Sequence, residues 1–536
     1  MSQKTTSRAQ RRAAERQGRK ETPAHRIDLW IAGGLALLAW VHRLVFLRSN
    51  RDFSWPYTFF YEGDSEVFYS YARALLSGEL YDGGIPFHPP GFAWFLAGVH
   101  ALVGAGEAGA RVPHVAVKSI MALLGSVAIG QLYLLARPYL GRTVALIASL
   151  LGLYHFGLYV LSVAPVTESF YLVLLLSALL VWTRRFEHPL AVPLEERRPG
   201  GPVWGLVLGL LLGALALTRA EAALIAVLLI GVGLLGRRRE DLRLWALAVL
   251  GCILVITPWT IRNAVRLSAV NEQYKDGMAE PLPTFVPLTL YGPINLALAN
   301  NPEADGSFSR AWMSSQAQNP GLDLRDPQHL EFILHGDRMA WEFARNDPGG
   351  FALLVGRKWR LVSEALTLGW TQWDWPGGLT GRRRPVDLFV PDSRVAYWIT
   401  VPLVLLGLGL CLKTPGMSRR WAVLVLLLTG SLLVATGLFF GYVRLGLLFL
   451  PFWLTFMAAA LVWLGSLGHG RSFALPAPAD PPRRLRQGLA VLAAVLLVLE
   501  IWGIGLHRNF KATGTNVPGR NYLDRDSPIY LELLPE

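Results

Sequence analysis

Charge is what this chain has least of. Only 17% of its 536 residues are charged against 52% hydrophobic, where a soluble protein of this size carries about a quarter. That shortage argues against an ordinary soluble domain. Cysteine is nearly absent too. Cys252 and Cys411 stand in separate apolar runs, which argues against a structural disulfide. Residues 1–25 are too long and too basic for the head of a cleavable leader, so Ile27–Leu47 is expected to be a retained first span. No internal repeat is evident.

What is present is a series of apolar runs near span length, such as 203–217 and 489–506. A bilayer core needs about 20 apolar residues per helix. The expected spans are Ile27–Leu47, Pro113–Leu135, Arg142–Ser162, Glu168–Arg184, Val203–Thr218, Glu221–Gly236, Arg243–Ile261, Ala396–Lys413, Trp421–Phe440, Leu445–Gly465 and Leu489–His507. The fold class is therefore an all-α polytopic membrane protein of about eleven transmembrane helices. Pro90–Val103 is short and follows His-Pro-Pro, which suits an interfacial helix. Phe351–Leu368 is set aside as well, because Arg357, Lys358 and Arg360 interrupt it.

The net charge of +13 would suggest nucleic acid in a soluble chain, but its placement points to the membrane instead. Basic residues crowd alternate inter-span segments: Arg8 to Lys20, Arg137 and Arg142, Arg184 to Arg198, Arg237 to Arg239, Lys413 to Arg420, and Arg471 to Arg486. By the positive-inside rule the N-terminus lies inside. Two long outside loops follow, 48–111 and 262–395. The resulting organisation is a disordered basic tail (1–26), a transmembrane catalytic domain (27–465), an inside linker (466–488), a last span (489–507) and an outside tail (508–536). The predicted location is the inner cell membrane.

Ionisable residues gather on the outside face. Glu62, Asp64 and Glu66 lie at the start of a helix predicted to begin near Ser65, so either Asp64 is its cap or one of the three acids is a general base. A divalent ion on these three acids is a further option, though no cofactor is required. Glu168 opens a span, Arg219 and Glu221 share a tight turn, and Arg262, Arg444, Arg111 and His88 lie at the same level. Each arginine could merely snorkel to head groups. Together they outline a site for an anionic group beside a carboxylate. Glu500 lies mid-span with no assignable partner.

Several motifs resemble the polytopic glycosyltransferases of the C-type fold, which include bacterial relatives of protein O-mannosyltransferases and the lipid A aminoarabinose transferase. The pieces are Asp64 ahead of Tyr71-Ala-Arg-Ala-Leu-Leu-Ser-Gly78, His88-Pro-Pro, Arg137-Pro-Tyr-Leu-Gly-Arg142, Thr167-Glu168, Leu217-Thr-Arg-Ala-Glu221, Pro258-Trp-Thr-Ile-Arg-Asn263, Asn295 to Pro302 and Tyr442-Val-Arg444-Leu. The resemblance implies a polyprenyl-phosphate sugar donor, Asp64 as base, Glu66 or Glu62 as a second acid near it, and Glu168 at the donor-phosphate end. It also places Arg219 and His88 near the donor, with His88 standing where the aminoarabinose transferases have lysine. Arg111, Arg262 and Arg444, on the same face, are further candidates for holding the donor phosphate by their charge. The partners are then the lipid donor, a lipid, glycan or protein acceptor, and the bilayer, with no nucleic acid. The competing class is a transporter or flippase of a lipid-linked saccharide, which would place polar residues at the midplane on broken helices.

Overall fold

The computed structural model describes residues 23–49, 64–107, 110–193, 201–235, 242–308, 324–366 and 393–467. Among them the secondary structure is entirely helical. In chain order the elements are α1 (Pro23–Ser49), α2 (Asp64–Ser77), a 3-10 turn (Tyr81–Gly84), α3 (Gly91–Leu102), α4 (His114–Tyr154), α5 (Phe156–Val163), α6 (Thr167–Arg185), α7 (Pro202–Thr218), α8 (Ala222–Leu235) and α9 (Leu242–Gln273). They continue with α10 (Tyr291–Ala299), α11 (Pro327–Asn346), α12 (Pro348–Ser363), a 3-10 turn (Glu364–Leu366), α13 (Ser393–Lys413), α14 (Met417–Leu438) and α15 (Val443–Leu467).

Six of these helices are long and apolar enough to cross a membrane: α1, α4, α6, α9, α14 and α15. Four more, α3, α7, α8 and the Trp398–Lys413 part of α13, are apolar but shorter. The span expected at 489–507, with Glu500, lies outside the described residues, as do most of the two terminal tails and of the linker.

The structure refines the sequence reading at three points, each for a local reason. First, the second and third expected spans are the two arms of α4, which reverses between them. Pro138 withdraws a donor there and Gly141 adopts φ 79° and ψ 168°, outside helical geometry, a backbone that glycine tolerates best. The arm after Gly141 returns along the first, so Gly152 faces Ile129 and Gly125 faces Ser162. This arm breaks at His155 and resumes as α5. Second, α9 runs on past Ile261 to Gln273, so Arg262 is helical and not the start of a loop. Asn263, Leu267 and Val270 are buried at helical spacing, and that packed stripe carries the helix onward. Third, α3, expected at the interface, packs one side into the protein core. Phe92, Ala93 and Leu96 are fully buried, in a cluster with Phe68, Ala72 and Met121.

Packing relies on small residues where helices meet closely. Along the α7–α9 seam a Cβ on Gly209 would lie 2.0 Å from the Ala248 carbonyl, and one on Gly251 would lie 2.7 Å from the Leu206 carbonyl. Such close backbone approach supplies dispersion contact where lipid leaves little hydrophobic drive between helices. A buried ion cluster fastens α1 to the α4 reversal. Asp28, 3% exposed, accepts from Tyr133 Oη at 2.9 Å and Arg142 Nε at 2.8 Å, and pairs with Arg137 Nε at 2.8 Å. The Arg137-to-Arg142 motif thus serves as a clasp.

The basic stretch in α12 also resolves into separate roles. Arg357 and Arg360 are exposed. Lys358 is buried, donating from Nζ to Asn300 Oδ1 at 2.7 Å and to the Gly437 carbonyl at 3.1 Å. Asn300 also donates to the Leu438 carbonyl at 2.7 Å. The helices of the second loop therefore grip the turn between α14 and α15, which leads directly to Arg444.

Candidate functional site

Four segments far apart in sequence bring their ends together. Asp64 begins α2 and Glu168 lies in the first turn of α6, where the positive end of a helix favours a carboxylate. Arg219 follows the last residue of α7 in extended backbone. Arg444 is the second residue of α15.

Their side chains form one continuous ion chain. Arg444 donates from Nη1 to Asp64 Oδ2, from Nε to Glu168 Oε1, and from Nη2 to Glu168 Oε2 at 3.2 Å. Arg219 donates from Nη1 to Glu168 Oε1 at 2.9 Å and to Thr167 Oγ1 at 3.0 Å, and from Nε to Glu221 Oε1 at 2.5 Å. Glu168 is fully buried, while the Asp64 side chain is 50% exposed. The chain therefore has a dry centre and two acidic ends, of which Asp64 is the more open and Glu221 the less. Three acids meet two guanidiniums, so the assembly carries one net negative charge.

Protonation follows from these contacts. Burial draws the Asp64 carboxyl up, but the charge and hydrogen bond of Arg444 outweigh it, with His88 and Arg219 adding. Asp64 is held below the ordinary carboxylate range. Burial alone would lower the Arg219 guanidinium, yet Glu221 and Glu168 hold it well above its usual value, so it stays a cation. Tyr442 packs between the two arginines, its phenol raised by burial against their opposing charges.

Beside this chain lies a second group. Asp82 takes φ 53° in the 3-10 turn, a left-handed backbone that Asp adopts more readily than most residues. Its Oδ2 accepts from the Phe87 and His88 amides at 2.9 and 3.1 Å. Its Oδ1 accepts from Tyr71 Oη at 2.5 Å, and that phenol lies 2.8 Å from His88 Nδ1. The His88 ring also faces Tyr291, with centroids 5.1 Å apart.

Of the residues expected from sequence, Asp64, Glu168, Arg219 and Arg444 come together, and His88 is near enough for its charge to bear on Asp64. Arg262 is occupied elsewhere. It donates to the Tyr81 and Gly84 carbonyls at 3.0 and 3.4 Å and stacks over Trp259 at 4.8 Å, which pins the 3-10 turn to α9. Arg111 is exposed beside His114, and no ion pair joins it to the cluster. Glu66 is half-buried with no hydrogen bond to the chain of charges, and Glu62 lies outside the described residues. Among the described residues no group of three His, Cys, Asp or Glu is arranged to hold a metal. Tyr71, Asp82 and Tyr442 carried no role in the sequence reading. Only the turn signal Tyr81-Asp-Gly-Gly84 hinted at Asp82.

Residues 87–261 match the family model described as dolichyl-phosphate-mannose-protein mannosyltransferase. The match takes in His88, Glu168 and Arg219, ends one residue before Arg262, and leaves out Asp64 and Arg444. It falls on the family resemblance that the motifs carry. No curated protein matches the sequence. Among solved structures, the Archaeoglobus fulgidus oligosaccharyltransferase tethered to an acceptor peptide aligns at TM-score 0.46 and 15% identity, over 90% of this chain and 55% of that one. ArnT from Cupriavidus metallidurans bound to undecaprenyl phosphate aligns at TM-score 0.34 and 15% identity, over 82% and 79%. The chain thus spans little more than half the length of the archaeal enzyme.

Proposed function

We propose that this protein is a membrane glycosyltransferase that moves a sugar from a polyprenyl-phosphate donor to a hydroxyl of a lipid, glycan or protein acceptor. The reaction runs on the outer face of the inner membrane, with the N-terminus inside and with inversion at the anomeric carbon. The observation that carries this reading is the ion chain itself, a buried Arg–Glu–Arg core ending in a half-exposed carboxylate. The family match over residues 87–261 supports it.

The chemistry asks for few groups. As the acceptor oxygen bonds to the anomeric carbon, the bond from that carbon to the phosphate oxygen breaks. The acceptor proton passes to Asp64, and the lipid phosphate departs with one more negative charge. A phosphate already leaves well, so positioning and charge stabilisation matter more than a strong acid. Asp64 is ionised and open, as a proton acceptor must be. Arg444 fixes its orientation, and the buried Glu168 fixes Arg444 in turn. Arg219 spends Nε and Nη1 on carboxylates and Thr167, and its Nη2 has no hydrogen-bond partner among the described residues. That N–H edge is available to the donor phosphate, with His88 as a second contact.

The test is release of polyprenyl phosphate from lipid-linked sugar in membranes holding the wild-type protein or Asp64→Asn, a readout that does not require the acceptor to be known. Release by the wild type and its loss in the variant support transfer. Movement of intact lipid-linked sugar across the bilayer without release would instead make the protein a flippase.

A further inference from the structure

The charge inventory leaves the proposed donor short of positive charge. Arg219 and Arg444 face three carboxylates, so the assembly is a net anion before any phosphate arrives. Arg262 is committed to two backbone carbonyls and Trp259. His88 is the remaining basic side chain whose charge bears on Asp64.

Proton bookkeeping around His88 then defines its state. The ionised Asp82 carboxylate only accepts hydrogen bonds, and Tyr71 has a single O–H. That O–H donates to Asp82 Oδ1 at 2.5 Å. Burial and the Asp82 charge both raise the Tyr71 phenol well above its ordinary value, so it keeps its proton. The phenol oxygen must therefore accept from His88, which places a hydrogen on Nδ1 across the 2.8 Å contact. Any further proton on the ring goes to Nε2, on the opposite edge, which makes no hydrogen bond among the described residues. Asp82 Oδ2 lies 3.6 Å from Nδ1, so the resulting cation has a carboxylate behind it and one N–H to offer ahead. The ring is fixed by contact with Tyr71 on α2, Asp82 in the 3-10 turn, Phe68 on α2 and Tyr291 on α10.

We propose that Asp82 and Tyr71 are positioning residues, a carboxylate–phenol relay that fixes His88 so that its Nε2–H meets the phosphate of a polyprenyl-phosphate donor. This rests on the donor class assigned above. Neither relay residue touches the donor, and each acts through His88. The relay also accounts for the left-handed backbone at Asp82, since that turn lets one carboxylate gather the Phe87 and His88 amides together with Tyr71. Strained backbone of this kind is held at functional sites when surrounding contacts over-determine it.

The test is binding of undecaprenyl phosphate to the full-length protein in nanodiscs, with thermal unfolding of each variant as a fold control. Tyr71→Phe keeps the ring and removes only the hydroxyl. It and Asp82→Asn should each weaken binding on the order of tenfold, the size of one charge-assisted hydrogen bond. His88→Lys should keep a measurable part of the affinity, because an ammonium needs no ring held in one orientation. Adding Tyr71→Phe to His88→Lys should then change affinity less than about twofold, within the additivity expected of uncoupled sites. A purely structural Tyr71 would weaken binding in both backgrounds, and that result overturns the relay. Wild-type affinity in both Tyr71→Phe and Asp82→Asn overturns it too. His88→Lys that still binds but no longer releases polyprenyl phosphate would make His88 a proton acceptor instead, again contradicting the proposal. A wild-type protein that binds no undecaprenyl phosphate contradicts the donor class, a separate failure.

Discussion

Arg444 donates a hydrogen bond to Asp64 across 380 residues of sequence. The same guanidinium holds the fully buried Glu168. One side chain thereby joins the start of α2, the α6 N-terminus and the start of α15. The orientation of the open carboxylate depends on a pair that is itself out of water.

The buried core of this chain should be costly to break. Arg444→Met leaves the buried Glu168 with Arg219 as its one remaining cation, and Glu168→Met leaves Arg444 with Asp64 alone, so each should cost up to about 3–5 kcal/mol. The double substitution should lose clearly less than the sum of the two, because it leaves fewer stranded charges. Thermal unfolding of the three variants in detergent reads this directly. Additive losses would mean that the two residues do not depend on each other.

Donor affinity should track Arg219 more than Arg262. Arg219→Ala removes the free N–H edge and should weaken undecaprenyl phosphate binding by about 1.5–3 kcal/mol, with Arg219→Lys recovering only part. Arg262→Ala should act mainly through stability, since its contacts are with the Tyr81 and Gly84 carbonyls. A reversed ranking, with intact binding in Arg219→Ala, would move the phosphate toward α9.

Much of this fold was legible because apolar length and helix-end chemistry are local signals. Thr167–Arg185 and Pro202–Thr218 fall within a residue of their expected limits. The reversal at Gly141 lies midway between two expected spans, where helical hydrogen bonding carries across a single non-helical residue. The overrun of α9 was hidden because Asn263 is polar, yet it is buried by donating to the Val286 carbonyl at 2.9 Å. Pairing was the harder matter. Asp64, Glu168, Arg219 and Arg444 were candidates only as a group, and which acid met which arginine depended on contacts up to 380 residues apart. For Arg262 the sequence showed a cation at the right depth and nothing of the carbonyls that occupy it.

Sidedness has a simple check. Glu303 and Pro415 are exposed, and the proposed topology puts them on opposite faces. With Cys252 and Cys411 replaced, Glu303→Cys should react with an impermeant thiol reagent from outside, and Pro415→Cys only after permeabilisation. Labelling of both from one face would overturn the orientation.

Lys358 predicts a stability change with pH. Burial lowers its amine from the ordinary 10.5 to about 7, so between those values the unfolded chain binds the proton more readily than the folded one. Stability contributed here rises as pH increases from about 7 towards 10.5, and levels off below that window, where both states are protonated. The melting temperature of wild type relative to Lys358→Met should climb over that range. A flat difference would mean that the amine is charged in the fold.

The most direct test of the account is Asp64→Asn. The amide keeps the shape of the carboxylate and can still accept from Arg444, but it takes no proton. The protein should insert, fold and bind undecaprenyl phosphate as before. Release of polyprenyl phosphate from lipid-linked sugar should fall on the order of 10²–10⁴-fold, the contribution of a positioned base, while Glu66→Gln stays close to wild type. Release by Asp64→Asn at the wild-type rate would contradict the assignment of the base.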